Sequence, residues 1–178
     1  MKEYIIKNYI IKKNKEDIFN IAYNNNDFTS SMLNISNYIK GEWTINKKIL
    51  TRIDTFDVAM DNEIPDILSA NFLNNSKDLK IKIKNTILED NNKIKKIKTK
   101  TYFTNLKYKM MDKINNLLKI INIKNIVVIE KIDDTASLYS SHITVKATLP
   151  SPFKDIIETL SINFCTKLTN ELVEKLQN

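Results

Sequence analysis

The C-terminal stretch TLPSPFKDIIETLSINFCTKLTNELVEKLQN restricts what this chain can fold into more than any other part. Phe153, Ile156, Ile157, Leu160, Phe164, Leu168, Leu172, Val173 and Leu176 recur at three- and four-residue steps. That is the repeat of one apolar stripe on a helix of period 3.6. Ser151 suits the N-cap, and Pro152 suits the first helical position, where a missing N–H costs nothing. The spacing predicts a helix from about Ser151 to Leu176, about seven turns long. A helix this apolar on one side needs a surface to lie on, and the preceding chain reads mainly as the strands of that surface.

EYIIKNYIIKK is a first strand with apolar residues on both faces. Asn14 then caps a short helix, with Asp17 three positions on and Ile18, Phe19, Ile21 and Ala22 behind it. NNNDFTSS is a polar loop. NYIKGEWTINKKILTRIDTFDV predicts a hairpin turning near Asn46 and Lys47, with Gly41, the only glycine, at a bulge or a close backbone approach. Trp43 reads as a rim or core aromatic. EIPDILSANFL is a second short helix with Pro65 near its start.

The clearest strand pair follows. Leu79, Ile81, Ile83 and Ile87 alternate with Lys80, Lys82, Lys84 and Thr86, and Ile97, Thr99, Thr101 and Phe103 alternate with Lys96, Lys98, Lys100 and Tyr102. A loop at Asp90-Asn91-Asn92 sets Ile83 opposite Thr99 and Lys84 opposite Lys98. One face is then apolar and the other carries a lysine ladder. Leu106, Met110, Met111, Ile114, Leu117, Leu118 and Ile121 follow a helical repeat instead. NIVVIEKI and SLYSSHITVKATL restore strands, turning at Asp133-Asp134, with Tyr139, Ser141, Ile143, Val145, Ala147 and Leu149 on one face and His142, Thr144 and Lys146 on the other.

The expected architecture is α+β: a curved antiparallel sheet around a long C-terminal helix, in one domain spanning 1–178. A chain of 178 residues, 42% hydrophobic and 28% charged, can bury one sizeable core. No run approaches the roughly 18 apolar residues of a membrane span. MKEYIIKNYIIKK is too interrupted by charge for a signal peptide, so the expected location is cytoplasmic or otherwise intracellular, with peripheral attachment to a membrane left open. Cys165, the single cysteine, excludes an internal disulfide and a cysteine-based metal site, and packs as a small hydrophobe. The net charge of +7 comes almost wholly from lysine, a residue that A/T-rich codons favour, and Arg52 is the one arginine. Scarce arginine argues against sequence-specific reading of DNA. A general attraction to anionic surfaces remains.

The order of elements resembles the START-like, helix-grip (SRPBCC-type) superfamily, in which a curved sheet wraps the last helix and encloses an apolar cavity. The opening YIIKNYIIKKNKEDIFNIAY is similar to that family's strand and short helix with a charged first turn. The close ITVKATLPSPFKDIIETLSINF is similar to its strand running through Pro150 and Pro152 into a helix bearing Glu158. Within the superfamily the chain looks most like the single-domain branches, including the PRELI-type phospholipid-transfer proteins: Arg52 and Pro65 fall roughly where those carry an arginine-bearing strand and a proline-marked helix. The 106–121 segment departs from the pattern, since the family continues with strands there.

The resemblance implies binding or transfer of a lipid or other apolar molecule, and the residues are expected to do so without catalysis. His142, the sole histidine, lies on the face opposite the apolar one. No HExxH, GxSxG, glycine-rich phosphate loop or paired carboxylates appear. The inner face is expected to offer mainly Ile, Leu, Thr, Tyr and Phe, with Arg52, Phe103, Tyr139, Ile143, Leu160 and Phe164 around the ligand. No cofactor or metal is expected. Met110, Met111, Leu117 and Leu118, flanked by Lys107, Lys109, Lys113 and Lys119, form a candidate gate at an anionic membrane, with Lys82 and Lys98 of the ladder beside it. Two other classes stay open: a scaffold or interaction protein whose interior is filled by its own side chains, and a non-specific nucleic-acid accessory factor using the lysine face.

Overall fold

The computed structural model describes residues 1–24, 38–39, 41–57, 78–103 and 121–178. Its strands are β1 (Lys2–Ile11), β2 (Tyr38–Ile39), β3 (Thr44–Asn46), β4 (Ile49–Asp57), β5 (Asp78–Asp90), β6 (Ile94–Phe103), β7 (Ile121–Lys131) and β8 (Ser137–Ala147). They form one antiparallel sheet in the order β1-β8-β7-β6-β5-β4-β2, with β3 also on β4. From β4 to β8 this is a meander, and β1 closes onto the last strand. The helices are α1 (Lys15–Phe19), continued by a π-turn at Asn20–Asn24, and α2 (Phe153–Gln177). The sheet is curved, and α2 lies against β8 and β1, the α+β helix-grip arrangement that the sequence predicts.

Local chemistry sets the ends of these elements. The Asn14 side chain accepts a hydrogen bond from the Asp17 N–H at 2.8 Å, which caps α1. Lys47 takes a left-handed φ of 53° in the β3–β4 turn, and Thr44 pairs with Thr51 as the predicted hairpin requires. Gly41 has no alternative, because a Cβ there would sit 2.0 Å from the Ile53 carbonyl oxygen. The β5–β6 parity holds, but the register differs by two residues. Asn85 faces Thr99 and Lys84 faces Lys100, because the turn lies one residue later than Asp90-Asn91-Asn92 and β5 carries an irregularity between Ile87 and Glu89.

Other expectations change as well. Ser151 does not cap α2; Pro152 holds that position without a side-chain bond, and the carbonyls of Pro150 and Pro152 take the Lys154 and Asp155 N–H groups. Ile121 begins β7 and is not the end of a helix. The rest of the predicted 106–121 helix, with Met110, Met111, Leu117 and Leu118, lies outside the described residues. So do the 63–73 helix and nearly all of the NNNDFTSS loop. Among the described residues, no helix is long and apolar enough to cross a membrane, and no cluster of metal-ligating side chains occurs.

The buried face of α2 keeps only part of the predicted stripe: Ile157, Val173 and Leu176 are buried as expected. Ile157, Glu158, Ile162, Thr169, Val173 and Leu176 face inward, while Ile156 and Leu160 are each 42% exposed. Steps of four from Ile156 through Leu160 drift around the helix, whereas the buried line includes the polar Glu158 and Thr169, which a reading for apolar periodicity discards. Both polar groups are satisfied inside. Glu158 accepts from the Ala147 N–H at 2.9 Å and pairs with the Met1 ammonium at 2.5 Å, and Thr169 donates to the Cys165 carbonyl at 2.8 Å.

Candidate functional site

The concave face of the sheet carries two aliphatic clusters. One joins Ile11, Ile18, Ile97, Val127, Ile129 and Tyr139 to Val173 and Leu176 at the end of α2. The other joins Ile121, Ile143, Val145 and Ala147 to Ile157 and Ile162 near its start. Between them the inward positions turn polar. Along β8 the sequence runs Tyr139, Ser141, Ile143; along β7 it runs Val127, Asn125, Ile123; β6 presents Thr99 between Ile97 and Thr101, and β5 presents Asn85 between Ile83 and Ile87.

These side chains bond to one another across the strands. Thr99 donates its hydroxyl to Asn85 Oδ1 at 2.8 Å, and Ser141 donates to Asn125 Oδ1 at 2.9 Å. Asn85 and Ser141 are buried. Tyr139 adds a phenol whose pKa is pushed up to about 12 by burial, partly offset by a hydrogen bond with Ser141. Tyr23 is brought in by the π-turn after α1, its ring stacked on Phe19 with centroids 5.4 Å apart. Its ring keeps some exposure, but desolvation of the hydroxyl and the neighbouring Tyr139 raise its pKa well above the usual phenol range, against a hydrogen bond with Thr99. Both phenols are therefore neutral hydrogen-bonding groups at any physiological pH.

Arg52 reaches the inner face from β4, one inward position along from Leu50, which faces Asn85. It is buried, at 3% exposure, and its guanidinium lies 4.7 Å over the Trp43 ring. The end of the interior near the β5–β6 turn is closed by charge. Buried Lys95 holds Glu16 at 2.7 Å and Asp90 at 3.3 Å, and buried Lys15 holds Glu16 at 3.1 Å and the Asn91 carbonyl at 2.7 Å. Glu16 stays below the usual carboxylate range: burial alone would raise its pKa, and the two lysines reverse that.

Of the residues singled out from sequence, the structure places Tyr139, Ile143 and Arg52 on the inner face and turns Leu160 away from it. The side chains of Phe103 and Phe164 lie outside the described set. Lys82 and Lys98 stand half-buried on the convex face, and His142 is there too, with its Nε2 3.5 Å from Glu3. Cys165 is a free thiol whose pKa burial pushes up to about 12, an inert packing residue. Sequence reading missed Asn85, Asn125, Ser141 and Tyr23. The first three stand at inward parity in strands already identified, and that parity is the signal that could have found them.

No protein-family model matches the chain, and no curated protein matches it in sequence. Among solved structures, the fold is similar to that of the ZhuI aromatase/cyclase from Streptomyces sp. R1128. The match has a TM-score of 0.55 and 5% identity, and covers 98% of this chain and 94% of that one. The helix-grip architecture is thus shared with a solved protein, while the PRELI-type resemblance gains no support from any comparison. The expectation that this chain is not an enzyme is corrected. The fold it matches carries an aromatase/cyclase, and the inner face adds buried Asn85 and Ser141 to the Ile, Leu, Thr, Tyr and Phe that were expected there.

Proposed function

We propose that the inner face binds an apolar small molecule bearing carbonyl or hydroxyl oxygens. The aliphatic clusters take its body, and Asn85, Thr99, Asn125, Ser141 and Tyr139 take its oxygens. The observation that carries this reading is the polar row itself, two hydrogen-bonded pairs set on four adjacent strands between two aliphatic clusters. A core made only for stability gains little from such groups, since each buried one must be matched by a partner. Binding sites in contrast combine apolar walls with a few fixed polar groups.

The likeness to an aromatase/cyclase, whose name implies ring closure, suits a substrate with several oxygens. Closing a carbon ring beside a carbonyl places negative charge on that oxygen, and Tyr139 and Arg52 are donors fit to receive it. A phospholipid belongs to the same ligand class, its ester carbonyls suited to the row and its phosphate to Arg52.

The sole tryptophan, Trp43, stacked on Arg52, serves as the reporter. Titration with 2-acetylnaphthalene and 2-naphthoate should change its emission, with Asn125→Leu weakening both at least about tenfold, the worth of one buried hydrogen bond. Arg52→Ala should weaken the carboxylate alone. Exchange of the acetyl protons with deuterated water separates binding from turnover: acceleration over solvent that Tyr139→Phe removes assigns catalysis. No emission change with either probe at millimolar concentration overturns the reading.

A further inference from the structure

The convex face of the sheet holds an arrangement that strand packing disfavours. Lys84 of β5, Lys100 of β6 and Lys124 of β7 stand abreast in the pairing register. Lys82, Lys96 and Lys98 surround them. Like charges directly opposed across strands cost stability, and among the described residues none of these lysines forms an ion pair with a carboxylate. Glu89 stands opposite Lys96 in register, while Glu3 and Glu130 lie at the margins, so the row Lys84, Lys100 and Lys124 has no carboxylate directly opposed to it. Their stems lie partly buried along the sheet, which leaves the ammonium groups outermost. The same face exposes aliphatic side chains on its two flanks, Ile5 of β1 at 46% and Ile53 of β4 at 48%. Ile53 faces Lys82 in register, and Ile5 follows His142 and Ile126 across from Lys98.

We propose that this face docks on an anionic lipid bilayer, with the lysines against head-group phosphates and Ile5 and Ile53 at the boundary of the acyl region. A soluble polyanion such as nucleic acid would engage the lysines but leave both isoleucines in water; a bilayer interface takes both kinds of group. The one arginine, the residue best suited to reading bases, is buried on the opposite face against Trp43. The proposal is independent of what the interior holds.

The test is sedimentation with phosphatidylcholine vesicles, with and without phosphatidylserine, at about 0.1 M and about 0.5 M salt, where screening lengths differ roughly twofold. The protein should bind only the anionic vesicles, and less at the higher salt. At about fivefold per lysine, the variant Lys84→Gln/Lys100→Gln/Lys124→Gln should lose at least about a hundredfold. A charge-matched control, Lys12→Gln/Lys48→Gln/Lys167→Gln, removes exposed lysines elsewhere and should retain binding. The pair Ile5→Ser/Ile53→Ser should weaken vesicle binding and leave the weak binding to duplex DNA unchanged. Thermal unfolding of each variant excludes misfolding; the first should melt no lower than the parent, since it relieves the opposed charges. Equal loss in both lysine variants, tighter binding to DNA than to vesicles at equal phosphate, or no effect of the serine pair overturns the proposal.

Discussion

Glu158 shows how one residue sets both stability and its pH range. Burial alone would raise its pKa; the Met1 ammonium, the Ala147 N–H and the charge of Lys154 overcome that and leave it below the usual carboxylate value. A depressed pKa in the folded state contributes stability that is complete above the unfolded value, near 4.5, and is lost as pH falls through the folded one. Glu158→Gln should therefore cost about 1–3 kcal/mol at neutral pH, the cost of disturbing a buried, satisfied group. Its urea midpoint should also fall less steeply than the parent's below that pH. Leu160 and Ile162 provide a second residue-scale contrast. Leu160→Asp should be tolerated within about 1 kcal/mol, as at other half-exposed sites, whereas Ile162→Asp buries an unpaired charge and should prevent folding. Circular dichroism of the two variants decides whether the inward face of α2 is the one described.

Among the elements, the β3–β4 hairpin and its approach depend most on a single atom. Gly41→Ala would drive a methyl group into the Ile53 carbonyl, and should destabilise by about 1–3 kcal/mol or more in chemical unfolding, the range for overpacking. Alternation made most strands legible, because lysine and isoleucine exchange places every second residue in β5 and β6. The polar row was not legible for the same reason. A count of apolar positions gives Asn85 and Asn125 no weight, and asparagine is so frequent in this chain that one more carries no signal. The register of β5 on β6 was hidden by the irregularity after Ile87, which parity alone does not reveal. Tyr23 was hidden because a π-turn, not a continued α-helix, carries it inward, and no periodic pattern encodes that extra residue. The buried side of α2 was only partly read because two of its members are polar: Glu158 finds its partners on β8 and at Met1, and Thr169 finds its own one turn back at Cys165.

In the molecule as a whole, the neighbour of β1 in the sheet is β8, at the opposite end of the strand sequence. Ile11 pairs with Ser137 and Lys2 with Val145, so the first strand gains its backbone partners only when the last one is present. Until then β1 has Ile6, Tyr9 and Ile11 without a core to cover them. A ribosome adding about 5–20 residues per second leaves that strand waiting on the order of ten seconds or longer. The meander from β4 to β8 can assemble in sequence meanwhile, since each of its strands pairs with the next. An arrest-peptide force profile taken along the growing chain should accordingly show its main rise only once β8, and then the end of α2 that carries Val173 and Leu176, have cleared the exit tunnel. Binding of a general chaperone to the nascent N-terminus should end at the same chain length. The first strand of the sheet thus waits longest for its partners, on β8 and then on the end of α2, so its exposure time during synthesis bears on how much of this protein reaches the folded state.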